Sequence, residues 1–162
     1  MERSANIKLN SALTELNKVV GFVENICDEH SIYNNYFGNI VTSVSEAFIN
    51  AVEHGNKGDQ DKSIELNFEV QNDGFAFCVT DQGDGFNFEN ISDPTDITIE
   101  DTISGRGLYL MNSLSDDIEF QHSGRKVCLK FLISSINNEV ANQRINKLKS
   151  YLNQEVKHKE FL

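Results

Sequence analysis

Three short stretches carry residue types that can do chemistry together. The first is Ser45-Glu46-Ala47-Phe48-Ile49-Asn50-Ala51-Val52-Glu53-His54-Gly55-Asn56. At about 100° per residue it reads as a helix with Glu46, Asn50 and Glu53 stacked on one side, because residues four and seven apart lie one above the other. A carboxylate and a carboxamide one turn apart can act on a single small ligand or metal ion. The second stretch is Asp81-Gln82-Gly83-Asp84-Gly85-Phe86. An aspartate at a strand end followed by Gly-x-Gly aims a carboxylate into a pocket while bare backbone approaches the ligand. The third is Ser104-Gly105-Arg106-Gly107-Leu108-Tyr109-Leu110. Glycines opening an apolar-periodic helix leave N–H groups and the positive dipole end free to face an anion. Taken alone, each has a plainer reading: a solvated helix face, an ordinary or calcium-like turn, and a helix entered through a glycine hinge.

The surrounding pattern supplies elements to position these stretches. Val41, Val44, Phe48, Ala51 and Val52 give the first helix an apolar side, its expected span is Asn39 to His54, and Gly55 stops it. An earlier helix is expected from Ser11 to about His30, with Leu13, Leu16, Val19, Val20, Val23 and Ile26 at helical spacing, after a short edge strand at Ile7–Leu9. Ile64 to Val70 alternates strictly, turns at Asn72-Asp73-Gly74 and returns as Phe75 to Thr80, which predicts a hairpin ending at Asp81. Asp81 to Ser104 has little periodicity, and a loop of that length in a compact domain is usually functional. A helix from Gly105 to Ser115 follows. A second hairpin joins Ile118–Phe120 to Val127–Ile133 around Ser123-Gly124, and a last helix is expected from Asn137 to about Lys157. The order helix, helix, hairpin, loop, helix, hairpin, helix predicts an α+β two-layer sandwich, a mostly antiparallel sheet with helices on one face.

A chain of 162 residues reads as one main domain, able to bury about 70% of its unfolded surface. Its net charge of -11 argues against a general nucleic-acid or membrane-surface binder, which would be basic. Any bound polyphosphate must then be held locally, by backbone N–H groups and a metal ion, against an unfavourable global field. The three cysteines, Cys27, Cys78 and Cys128, are widely spaced among apolar neighbours, and are expected to be buried reduced thiols of a cytoplasmic protein. The last segment differs in charge, with five Lys/Arg against three Asp/Glu from Asn137 onward. It is read as a helical extension, residues 137–162, after a domain spanning 1–136. Its stripe of Ile145, Leu148, Leu152 and Val156 suits core packing, a homodimer or a partner.

Order and spacing turn three weak motifs into one specific pattern. A polar-faced helix with Glu and Asn, a strand ending in DxGxG, a long loop and then GxG opening a helix resembles the GHKL (Bergerat) ATP-binding fold, from about Asn6 to Ile133. Within that superfamily the sequence looks most similar to the anti-sigma factor serine/threonine protein kinases, through Glu46 to Gly55 and through Ser92-Asp93-Pro94-Thr95 ahead of Gly105 to Met111. The resemblance implies ATP and Mg²⁺ as cofactors. Asn50 resembles the Mg²⁺ ligand, its amide oxygen suiting a hard cation that also bridges phosphates. Glu46 resembles the general base that accepts the proton of the attacking hydroxyl. Asp81 resembles the carboxylate that reads the adenine amino group. Gly83 and Gly85 begin the lid. Gly105, Gly107 and Leu108 belong to the phosphate-facing turn, with Arg106 a charge contact; His54 is expected to close the helix end or pack beneath the lid.

The resemblance also implies partners: a sigma factor that the protein sequesters and an anti-anti-sigma (STAS-type) protein whose serine it phosphorylates. Ile99-Glu100-Asp101-Thr102-Ile103 departs from the pattern by offering no basic residue just before the glycines. That keeps open a non-catalytic, nucleotide-dependent binding module. Other superfamily members fit less well. A sensor histidine kinase would carry a phosphoacceptor hairpin first, and the topoisomerase, mismatch-repair and chaperone ATPases a transducer domain. A zinc protease is excluded because Asn50 stands where an imidazole ligand is needed.

Overall fold

The computed structural model describes residues 2–32, 35–86 and 105–134, with positions 146, 149–151 and 153 besides. Five strands form one sheet: β1 (Ser4–Asn10), β2 (Ser63–Val70), β3 (Gly74–Thr80), β4 (Asp117–Gln121) and β5 (Lys126–Leu132). Their order across the sheet is β1-β2-β3-β5-β4, and each neighbouring pair is antiparallel. Three helices accompany the sheet: α1 (Leu16–Glu29), α2 (Asn35–Asn50) and α3 (Gly105–Leu114). The expected α+β architecture is therefore the observed one. Both hairpins form where the turn residues put them, the first closed by Gln71 N–H donating to Gly74 O.

Period-two alternation sends Ile64, Leu66 and Phe68 of β2 to one face, where they meet Phe75, Phe77 and Val79 of β3 and Leu129 and Phe131 of β5. The helices bury Val19, Val23 and Ile26, then Ile40, Val44, Ala47 and Phe48, then Leu108 and Met111 against that face. Phe48, Phe68, Phe77 and Phe131 are the largest fully buried side chains, each contributing about 1.5–3 kcal/mol through burial. The opposite face is polar, and the pairing register sets Asn6, Asn67, Cys78, Cys128 and Glu119 in one row across all five strands.

Several features differ from expectation, beginning with the helix starts: α1 begins at Leu16 after a 3-10 turn at Leu13–Glu15 rather than at Ser11, and α2 begins at Asn35 rather than Asn39. The edge strand β1 runs for seven residues, because its whole length pairs with β2 from Ser4↔Glu69 to Asn10↔Ser63. The helix bearing Glu46 and Asn50 ends in a π-helical turn, Ala51–Gly55, which inserts an extra residue and changes the phase. Glu53 is consequently exposed and apart from the Glu46–Asn50 face. Lastly, Cys78 and Cys128 form a disulfide across β3 and β5, their Cα atoms 4.1 Å apart, so the expectation of three free thiols is corrected. The register that opposes them is set by strands 50 residues apart in sequence, which spacing among apolar neighbours does not reveal. Cys27 is free and buried as expected, and burial pushes its thiol up to about 12.

Most of the expected loop, residues 87–104, lies outside the described residues, as does most of the C-terminal helix; the described positions 146, 149–151 and 153 are helical. Among the described residues no helix is long and apolar enough to cross a membrane.

Candidate functional site

Asn50 is the last residue of α2. It is 7% exposed, and among the described residues neither its Oδ1 nor its Nδ2 has a hydrogen-bond partner. Leaving such groups unpaired in the interior costs about 1–3 kcal/mol, so their persistence points to a ligand. Half-buried Glu46 lies one turn earlier on the same face. Both face Gly107 in the first turn of α3: a Cβ built there would stand 2.9 Å from Asn50 Nδ2 and 3.1 Å from Glu46 Oε2. Any larger residue at 107 would press a Cβ against these two side-chain ends and push them from their present positions. α2 and α3 pack directly together, and Leu108, buried in the core, holds that approach while Met111 lines the cleft one turn on. Gly105 opens α3, whereas the side chain of Arg106 lies outside the described residues.

Asp81 follows β3 directly. Its backbone N–H donates to Arg125 O at 2.9 Å, and its Oδ1 accepts from Gly83 N–H at 2.8 Å, which closes a local turn. The other carboxylate edge lies against Gly55, and the Gly83 backbone packs so tightly on the Gly55 carbonyl that a Cβ at residue 83 would collide with it. Gly85 turns the chain with φ 76°. Burial pushes the Asp81 carboxyl above its ordinary range, opposed by the Gly83 hydrogen bond and by the charges of Arg125 and Lys62.

These groups converge on a cleft of about 740 Å³ including its open mouth, lined among others by Asn50, His54, Gly55, Asp81 and Gly85. Its apolar wall is Ala47, Ala51, Val79, Met111, Phe120 and Val127, with Phe86 meeting Phe120 edge-on at 5.3 Å. A cleft with one apolar wall and several convergent polar groups suits a flat heterocycle bearing a charged tail. Among the described residues no three His, Cys, Asp or Glu side chains cluster into a metal cage. The unpaired amide oxygen of Asn50 would instead suit a hard cation such as Mg²⁺, which would supply charge neutralisation to a phosphate tail.

The three sequence stretches thus meet at one place, with Glu53 left outside it. Two cationic contributors escaped the sequence reading. Arg125 lines the cleft because β3 and β5 pair, so the residue before β5 faces the end of β3. Lys57 reaches the same cleft past the π-helical turn, and lies 3.8 Å from Asp84 on the surface. The hairpin turn at Ser123-Gly124 was the available signal for Arg125; nothing local marked Lys57.

Comparison with known proteins follows the same geometry. Serine-protein kinase RsbW of Bacillus subtilis (strain 168) is 37% identical over 94 residues, covering 54% of this chain and 59% of the relative. RsbW of Bacillus pumilus (strain SAFR-032) is 38% identical over 100 residues, covering 56% and 62%. The chain therefore matches about three fifths of the length of these curated relatives. Among solved structures, that of the RsbU and RsbW domains of Rv1364c from Mycobacterium tuberculosis superposes with a TM-score of 0.59 at 18% identity, over 81% of this chain and 32% of that one. At that identity the likeness is one of fold. The profile of the histidine kinase-like ATPase domain matches residues 9–132, most of the chain, and the chain belongs to that family.

Proposed function

We propose that the protein binds Mg·ATP in this cleft and is a protein serine kinase of the anti-sigma type. It would sequester a sigma factor and phosphorylate a serine on an anti-anti-sigma (STAS-type) protein, in the cytoplasm. The observation that carries the reading is the buried, unpartnered amide of Asn50 beside Glu46 and under Gly107, sharing one cleft with Asp81. The printed name of the relatives, serine-protein kinase, supports the reaction class. In this reading Asp81 accepts from the adenine amino group. Asn50 holds Mg²⁺, which when bound neutralises the phosphates, and the N–H groups of the Gly105–Leu108 turn face those phosphates with Arg106 nearby. Glu46 takes the proton of the attacking serine hydroxyl. In the same reading the segment 137–162 would serve a homodimer or a partner.

Glu46→Gln tests the chemistry. Phosphate transfer to the partner should drop by about 10²–10⁴ while ATP affinity stays within a factor of about three. Undiminished transfer would remove Glu46 from the role of base. A second reading is favoured by the missing lid cation at Ile99–Ile103: a module that switches its partner on nucleotide binding without phosphorylating it. Phosphoserine on a co-expressed antagonist decides between the two. A pull-down from lysate with and without Mg·ATP, recovering a sigma factor and a small serine-bearing antagonist, identifies the partners.

A further inference from the structure

Asn56, just past the π-helical turn, is 1% exposed and uses its whole side-chain amide. Nδ2 donates to Ser11 Oγ at 3.0 Å and to Ser63 O at 3.1 Å, while Oδ1 accepts from Gln82 N–H at 2.8 Å. Ser11 is itself 1% exposed, and its N–H donates to Lys62 O. Gln82 reciprocates through its side chain, Oε1 accepting from Ser63 N–H at 2.8 Å. One amide thus ties together the ends of β1 and α2, the start of β2 and the turn after β3. No other side chain of this size offers two donors and one acceptor.

The placement bears on Asp81. The N–H before its Cα is held by Arg125 O, a main-chain bond that any residue can make. The N–H after it, that of Gln82, is held by the Asn56 side chain. With both flanking peptide groups pinned, the backbone angles of Asp81 are set, and with them the direction of its Cα–Cβ bond; the Gly83 N–H then holds Oδ1. We infer that Asn56 is a positioning residue for nucleobase recognition, acting through the Gln82 peptide to aim Asp81 into the cleft. The inference rests on the ATP reading above, in which Asp81 reads the base.

Nucleobase selectivity tests it. The ratio of GTP to ATP dissociation constants is measured by calorimetry for the wild type, Asn56→Asp and Ser11→Ala. Asn56→Asp keeps the acceptor for Gln82 but replaces both donors, setting a carboxylate against the Ser63 carbonyl. Ser11→Ala is the milder change and remains informative if the first variant does not fold. A displaced Asp81 weakens ATP by about tenfold and leaves GTP nearly unchanged, so the ratio falls by about tenfold, and by about threefold in Ser11→Ala. General structural damage lowers affinity for both nucleotides in proportion and leaves the ratio intact. A folded variant with an unchanged ratio overturns the inference alone. A wild type that binds ATP no better than GTP, or binds neither, overturns the reading of Asp81 and the inference with it.

Discussion

At the scale of single residues the cleft holds groups whose ligand-free state is costly, and this shapes what substitutions do. Burial raises the Asp81 carboxyl, so its ionised form is disfavoured in the folded protein. A raised carboxyl contributes stability that is present below the ordinary aspartate range and lost as pH rises through the raised value. Ligand binding runs the other way, since accepting from an amino group needs the carboxylate. Asp81→Asn should therefore lose about 10–100-fold in ATP affinity while melting at the same or a higher temperature near neutral pH. Calorimetry and a thermal melt on one sample check both. Wild-type ATP affinity should fall on acidification at a pH above the usual carboxylate range. Because the Arg125 charge opposes the rise, Arg125→Gln should move that fall to still higher pH. An unmoved acid limb in Arg125→Gln would separate Arg125 from Asp81.

At the scale of elements, the approach of α3 to α2 is what makes a site of two otherwise solvated polar residues. Gly107→Ala adds one methyl group against Asn50 and Glu46. The Asn50 amide and the Glu46 carboxylate must give way by a few tenths of an ångström, and the expected result is an ATP affinity lowered by about tenfold with the far-UV circular dichroism unchanged. Retained affinity would mean that the two side chains have slack. Much of this level was legible in the sequence. Helical periodicity found α1, α2 and α3, strict alternation found β2, and Asp73-Gly74 located the hairpin. Asn50 and Asp81 line one cleft, and Glu46 and Gly107 lie beside Asn50 at its edge, an arrangement that follows the order of the motifs. What stayed hidden depends on phase and register. The π-helical turn rotates Glu53 away from its helical neighbours through one inserted residue, which no local composition marks. Arg125 enters the cleft only because β5 pairs with β3.

At the scale of the whole molecule, the strand order β1-β2-β3-β5-β4 seats two local hairpins side by side and adds β1 at the far edge. The pairing of the hairpins brings Cys78 opposite Cys128, and that disulfide closes a separation of 50 residues. Cys78→Ser with Cys128→Ser should lower the unfolding free energy by about 2–4 kcal/mol, read from denaturant titrations of the oxidised protein and the double variant. Equal midpoints would show that the crosslink adds nothing to the sheet. The same topology fixes a sequence of events in time. Within each hairpin the partners are near in the chain, from Val70↔Phe75 outward in one and Gln121↔Lys126 outward in the other. Without the Cys78–Cys128 crosslink, the seam Gly74↔Leu132 to Thr80↔Lys126 needs a long loop to close first, and β1 must find β2 from Ser4 to Glu69. Non-local pairing of this kind slows folding. Pulse-labelled hydrogen exchange during refolding of the Cys78→Ser, Cys128→Ser double variant should protect the β2–β3 amides before those shared by β3 and β5. Asp81 and Arg125, on opposite sides of that seam, then meet only in its last stage, so nucleotide binding arrives with the final fraction of native signal rather than with the first.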